Sequence, residues 1–343
     1  MKRFSKCYLV LLMVLILLIS GCGASVAEEI QSVLDSGGFP MPNFNNEYLV
    51  RLDFWAFGDI TFYEQDGFYN MAFWVEVDGR KEKLFEESDF SSDRWYVSID
   101  EFYVCKDSVY FVVIYYEREG LDFSHAVLYC YDLNTNTYET VLEVPYMFRW
   151  VVVEPYLIYS TFYDERDKLV VCDLKTGEET VVCEDIAEFG IVENELRYIT
   201  GNGPYELYCC SISGGTVEKL GEFDRVYDEG YDFFNFTPDA VVMYNYSTTY
   251  DEQLVVYYPV TDHIAVYGMP LEIQCMVACR EYAFVLLGDS SDMGDGIYRV
   301  KLSDGTYEKV AYADNGNGIY AASDSEVYLI RSVSNWEKIS VDP

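Results

Sequence analysis

Histidine is nearly missing from this chain: there are two in 343 residues, His125 in a loop and His263 in the turn "VTDH" beside Asp262. No His-Glu-x-x-His helix and no Gly-x-Ser-x-Gly elbow occurs, which removes the commonest zinc and serine hydrolase signatures. Basic side chains are scarce too, 23 against 59 acidic, for a formal charge of -36. Such a surface repels phosphate backbones, so nucleic-acid binding is not expected, and the charge itself speaks first to solubility. No Cys-x-x-Cys pair accompanies the ten cysteines, which argues against structural zinc. No apolar run reaches the roughly 20 residues that cross a bilayer as a helix; the longest, Tyr8 to Ile19, has about twelve.

What is abundant is aromatic and β-branched. Half of the chain is hydrophobic, with 33 Tyr and 21 Phe, and valines recur in short alternating runs, a mixture that suits half-buried strands. An all-β fold with a large core is expected.

The strands repeat. "LVVCDLKTGEETVVCED" from Leu169 has counterparts at Leu128, Leu207, Leu254 and Ile297, and a less regular one at Phe73. The spacing of about 40 to 45 residues is that of a four-stranded blade. Each copy reads as a hairpin whose turn ("KTGE", "SGGT", "SDGT") offers Gly for a positive φ. Two further strand-like runs precede each hairpin, for example "RWVVVE" and "YLIYSTFY" before Leu169. A lone four-stranded sheet leaves two apolar faces, so the units must stack, and closing the stack removes exposed ends. The expected fold is therefore a β-propeller of four-stranded antiparallel blades over residues 48–343. Seven blades are expected, with "EYLVRLDF" from Glu47 completing the short last unit. Six is the alternative, in which that segment is the innermost strand of the first unit. Two β-sandwiches would leave the repeated hairpin unexplained.

The Leu-Tyr-x-x-Asp-Leu-x-Thr-Gly pattern resembles bacterial exported β-propellers, including TolB-like propellers and a family common among lipoproteins of Gram-positive bacteria. It is a fold motif and carries over no catalytic residue. The start of the chain supports the same setting. "MKRFSKCYLVLLMVLILLISGC" has a basic head, a short apolar run and small residues before Cys22, which resembles a lipoprotein signal peptide with its lipobox. The resemblance implies cleavage before Cys22 and a diacylglyceryl thioether on its sulfur, anchoring the protein outside the membrane. Residues 23–47 then read as a tether with a short helix: Ser25 and Glu28 have capping-box spacing, and Ile30, Val33 and Leu34 form an apolar face.

In a propeller, the loops between second and third strands share a face with the connections between blades. Here they include 116–125, "YDERDK" at 163–168, "TYDEQ" at 249–253 and "GDSSDMGDG" at 288–296, all acidic or mixed. Candidate binding residues on that face are Tyr163, Asp164, Glu165, Asp167, Tyr205, Tyr250, Asp251 and Glu252. Asp289, Asp292 and Asp295 are candidate Ca²⁺ ligands, although their spacing is not that of an EF-hand; no other cofactor is expected. The cysteines fall at repeat core positions and are expected as free thiols. A two-residue turn at Thr176 and Gly177 would pair Cys172 with Val181; a four-residue loop from Thr176 to Glu179 would set it opposite Cys183, and the first is preferred. The expected function is noncatalytic binding of a peptide, protein or glycan at the cell envelope by a monomer. The alternatives are a polysaccharide-cleaving propeller and a scaffold subunit of an envelope complex.

Overall fold

The computed structural model describes residues 25–37 and, apart from short gaps at connecting loops, 54–341. Strands at 54–86, 95–144, 149–184, 186–223, 231–268 and 272–312 form six four-stranded sheets, and 318–340 forms a seventh of three strands among the described residues. Spatial order follows chain order in every sheet and all pairings are antiparallel, so each blade is a simple meander. Seven blades are thus present. Phe54–Phe57 is the innermost strand of blade 1, paired with Ile60–Gly67. Of the segment expected to complete the last blade, 47–54, Phe54 opens this strand of blade 1 and residues 47–53 lie outside the described residues.

Alternation dictates how the blades assemble. Both faces of a blade's inner strands are apolar, so each sheet must be covered on both sides. The apolar clusters accordingly lie between blades: one joins blades 1 and 2, one blades 2 to 4, and others blades 4 and 5, 5 and 6, and 6 and 7. Outermost strands such as Glu178–Glu184 are mostly exposed, and here Glu178, Glu179 and Glu184 carry charge, which keeps the ring's rim from pairing with other sheets.

The repeated Asp-Leu-x-Thr-Gly sequence sets the turn geometry. Asp173 Oδ1 accepts from the backbone N–H groups of Lys175 (2.8 Å) and Thr176 (3.1 Å), while Gly177 N–H donates to Asp173 O at 2.7 Å with φ +70°. Asp132 does the same for Asn134 and Thr135, with Asn136 in the left-handed position. The following Leu ties its N–H to the inner hairpin of the same blade: Leu133 to Asp107 O and Leu174 to Pro155 O.

This turn corrects the expected register. Asp173 pairs with Glu178 across a four-residue loop, Leu174 to Gly177, so Cys172 faces Glu179 and not Val181; a bulge after Leu169 then sets Cys183 opposite Leu169. The carboxylate of Asp173 holds a four-residue loop where the Gly alone suggests a two-residue turn. Asp173→Ala should therefore destabilise the protein by about 1 kcal/mol in urea unfolding. Asp173→Asn, which keeps the accepting oxygen, should be nearly neutral; equal losses would mean the side chain does not hold the turn. All eight described cysteines are free, and burial raises their thiols, Cys183, Cys275 and Cys279 to about 12.

The expected helix is Val26–Asp35, with its capping box formed: Glu28 N–H donates to Ser25 Oγ (3.2 Å) and Ser25 N–H to Glu28 Oε2 (2.6 Å). Its apolar face is occupied. Val26 and Ile30 are buried against blade 1, with Val33 and Leu34 beside them. Among the described residues no helix is long and apolar enough to cross a membrane.

Candidate functional site

On the loop face a pocket lies between blades 3 and 4, with charged and polar side chains set among apolar ones. It has a volume of about 50 Å³ and is lined by Arg149, Ser160, Asp167 and the segment Ile186 to Phe189. Arg149 opens the innermost strand of blade 3 and pairs in register with Ser160 on the second strand, while Asp167 lies near the start of the third, Arg166–Asp173. Glu188 comes from the innermost strand of blade 4, Ile186–Val192, where a bulge between Ile186 and Glu188 departs from strict alternation.

Glu188 is 2 % exposed and forms an ion pair with the Arg149 guanidinium. Burial pushes its carboxyl up to about 7 even with that guanidinium opposing the shift, because removing a carboxylate from water costs more than one partner returns. The backbone N–H of Phe189 donates to Glu188 Oε1 at 3.0 Å. Asp167 is also raised, chiefly by partial desolvation; Arg149 pulls it down and Asp185 pushes it up. Asp185 is held close by its own N–H, which donates to Asp167 O at 2.8 Å. Ser160 is 6 % exposed, and its hydroxyl has no hydrogen-bond partner among the described residues. A buried hydroxyl without a partner is costly, so the pocket is short of a donor or acceptor that a ligand or water would supply.

An aromatic row lies on the same loop face, across the loop end of blade 2. Tyr96 and Phe123 are exposed, with Tyr116 and Tyr146 half-buried between and beyond them. Tyr116 lies 6.1 Å from Tyr96 and 6.2 Å from Phe123, and Phe123 lies 5.0 Å from Tyr146. The rings are tilted or edge-on, with interplanar angles of 45°, 85° and 68°. Thr161, next to Ser160 but turned to the opposite face of blade 3, donates its hydroxyl to Tyr146 O at 2.7 Å, which ties the end of the row to the loop end of that blade.

The opposite, hairpin face differs. A groove of about 260 Å³ there gathers Lys106, Tyr110, Glu154, Pro155, Leu174 and Lys175. Lys106 and the Tyr110 hydroxyl both engage the Glu154 carboxylate, so one cation and one anion compensate each other.

Of the residues expected on the loop face, Asp167 reaches the pocket. Tyr163 ends the second strand of blade 3, paired with Arg166. Tyr205 is not on the surface: it is 5 % exposed and packs between blades 4 and 5 against Phe223 and Phe234, because alternation along Tyr205–Ser211 turns it inward. Asp164, Glu165, Tyr250, Asp251, Glu252 and the candidate calcium ligands Asp289, Asp292 and Asp295 lie outside the described residues, as does Cys22. Among the described residues no group of three or more His, Cys, Asp or Glu is arranged to hold a metal ion. His125 stacks on Tyr115 at 4.6 Å and edge-on to Trp95 at 5.5 Å, while His263 sits exposed at a strand start. Glu188 and Arg149 were missed from the sequence, although a signal exists: a lone Glu interrupts the apolar inner strand "IAEFGIV".

Compared by sequence, the chain matches no protein-family model and no curated protein. Solved structures match it by fold. A prolyl endopeptidase superposes with a TM-score of 0.58 at 11% identity, over 88% of this chain and 48% of the peptidase. An oligogalacturonate lyase from Vibrio parahaemolyticus gives 0.52 at 11% identity, over 88% and 90%. TolB from Acinetobacter baumannii gives 0.42 at 10% identity, over 82% and 79%. The chain thus spans about half of the peptidase and most of the lyase. At these identities the likeness is one of fold, and the chain is a seven-bladed β-propeller.

Proposed function

We propose that this chain is an envelope-anchored binding protein, held outside the membrane by a lipid on Cys22, that takes a peptide, protein or glycan on its loop face without chemical change. The observation that carries the reading is the pocket between blades 3 and 4: a site with charged groups and an orphaned buried hydroxyl, opening on the face where the sequence concentrates its loops. Fold alone does not decide the matter, since propellers host both enzymes and binders. The orphaned Ser160 hydroxyl and the exposed aromatic row describe a surface waiting for contact.

The test pairs location with binding. Cys22→Ala should move the protein from the membrane fraction to the soluble one. The full chain, screened by calorimetry against peptide and glycan panels with product analysis, should show saturable binding and unchanged ligand. Release of a cleavage product would replace this reading with the polysaccharide-enzyme one. Co-purification of an envelope protein that ignores changes at Tyr96 and Asp167 would replace it with the scaffold one.

A further inference from the structure

We infer that the pocket between blades 3 and 4 receives a primary ammonium group, that of a lysine side chain in a peptide whose apolar residues lie on the aromatic row of blade 2. This rests on the binding reading above and names the ligand class for the same site.

The groups turned into the pocket ask for a donor. Asp167 and Glu188 bring acceptor oxygens, Asp185 adds negative charge at the rim, and Ser160 has a buried hydroxyl oxygen without a partner among the described residues. Arg149 is already committed to Glu188. An ammonium has three hydrogens and no acceptor, so it matches Asp167, Ser160 and the outer lone pairs of Glu188 at once. The net negative charge of the chain raises the local concentration of cationic ligands before contact.

Size and shape choose the carrier. A volume of about 50 Å³ admits the tip of an unbranched chain and excludes a sugar ring. The aromatic row points the same way. Its rings meet at 45°, 85° and 68°, which leaves edges and clefts for side chains and no continuous flat platform for a pyranose. The hydrogen bond from Thr161 holds Tyr146 against the loop end of blade 3 on the face opposite Ser160, so row and pocket flank the loop end of that one blade, and an extended peptide crosses it to meet both.

The test uses the full chain and three probes in calorimetry at low and moderate salt: acetyl-Phe-Lys-Phe-amide, the same peptide with norleucine for lysine, and a β-1,4-linked glucosamine trimer. The lysine peptide should bind at least about tenfold more tightly than the norleucine peptide, as charge-assisted hydrogen bonds allow. Asp167→Asn and Ser160→Ala should each erode that preference, and Asp167→Asn should flatten its salt dependence. Asp167 is exposed and Ser160→Ala removes one oxygen, so neither change threatens folding. Equal binding of the lysine and norleucine peptides, sensitive to Tyr96→Ala, would overturn the ammonium assignment and leave the binding reading standing. Tighter binding of the glucosamine trimer would overturn the lysine assignment. Failure of every peptide and glycan in the wider panels to bind would overturn both readings.

Discussion

Arg149→Met is expected to lower stability to urea by about 3–5 kcal/mol at pH 8, and by clearly less at pH 5.5. The reason is the partner it leaves behind. Glu188 is buried between blades 3 and 4, and without the guanidinium its carboxylate has neither water nor a counter-charge. A stranded buried carboxylate neutralises itself by taking a proton, so the loss shrinks where protons are plentiful. The native protein already shows the tendency, since Glu188 is raised from 4.5 to about 7. Between those two values the folded state binds the proton that the unfolded state releases, so stability falls as pH rises through this window. A shift of that size corresponds to about 3 kcal/mol across the window, present below pH 4.5 and lost above pH 7. Glu188→Gln should remove the slope. Replacing both partners, Arg149→Met with Glu188→Leu, should recover most of the stability, because a well-packed apolar pair has no charge to desolvate. Equal losses for Arg149→Met at both pH values would show that packing of the arginine stem, and not the ion pair, holds this corner.

The architecture was legible because its causes are local and repeated. An Asp followed by Leu, two residues and Gly or Asn closes a turn in the same way at Asp132 and Asp173, and alternation between such turns leaves little but a stack of four-stranded sheets. The Ser25 and Glu28 spacing specified a helix start for the same reason. What escaped was set by geometry between residues far apart in the chain. Cys172 missed its expected partner because Asp173 fixes the loop through its own side chain, an effect larger than the generic preference for two-residue turns. Tyr205, expected on the loop face because it follows the turn-forming stretch Gly-Asn-Gly-Pro, is the first residue of a strand and its side chain takes the core side. The pocket itself joins Arg149 to a Glu188 in the next blade, and only the curvature of the ring brings them together. Asp167 was found because it flanks a loop whose composition stands out; Ser160 carries no such mark in the apolar run "YLIYSTFY".

The second large effect belongs to the junction of blades 1 and 2. Phe111→Ala should destabilise the protein by about 3–5 kcal/mol, against about 1 kcal/mol for Phe111→Leu. Phe111 is fully buried in the second strand of blade 2, Ser108–Glu117. Its ring stacks on Phe85 at 4.1 Å, lies nearly parallel to Tyr129 at 5.6 Å and meets Phe90 at 5.5 Å. Phe85 in turn stacks on Phe73 at 4.5 Å, so a single ladder of rings crosses from blade 1 into blade 2. Truncation removes the transfer energy of the ring, opens a cavity in rigid surroundings and deletes several aromatic contacts at once. The helix shares this core through Val26 and Ile30. Damage should therefore be local before it is global: hydrogen exchange should accelerate first in the helix and blade 1, while blades 5 and 6, which share a separate apolar cluster, keep their protection. Uniform loss of protection around the ring would mean that the blades unfold as one unit, and that the ring closure outweighs any single interface.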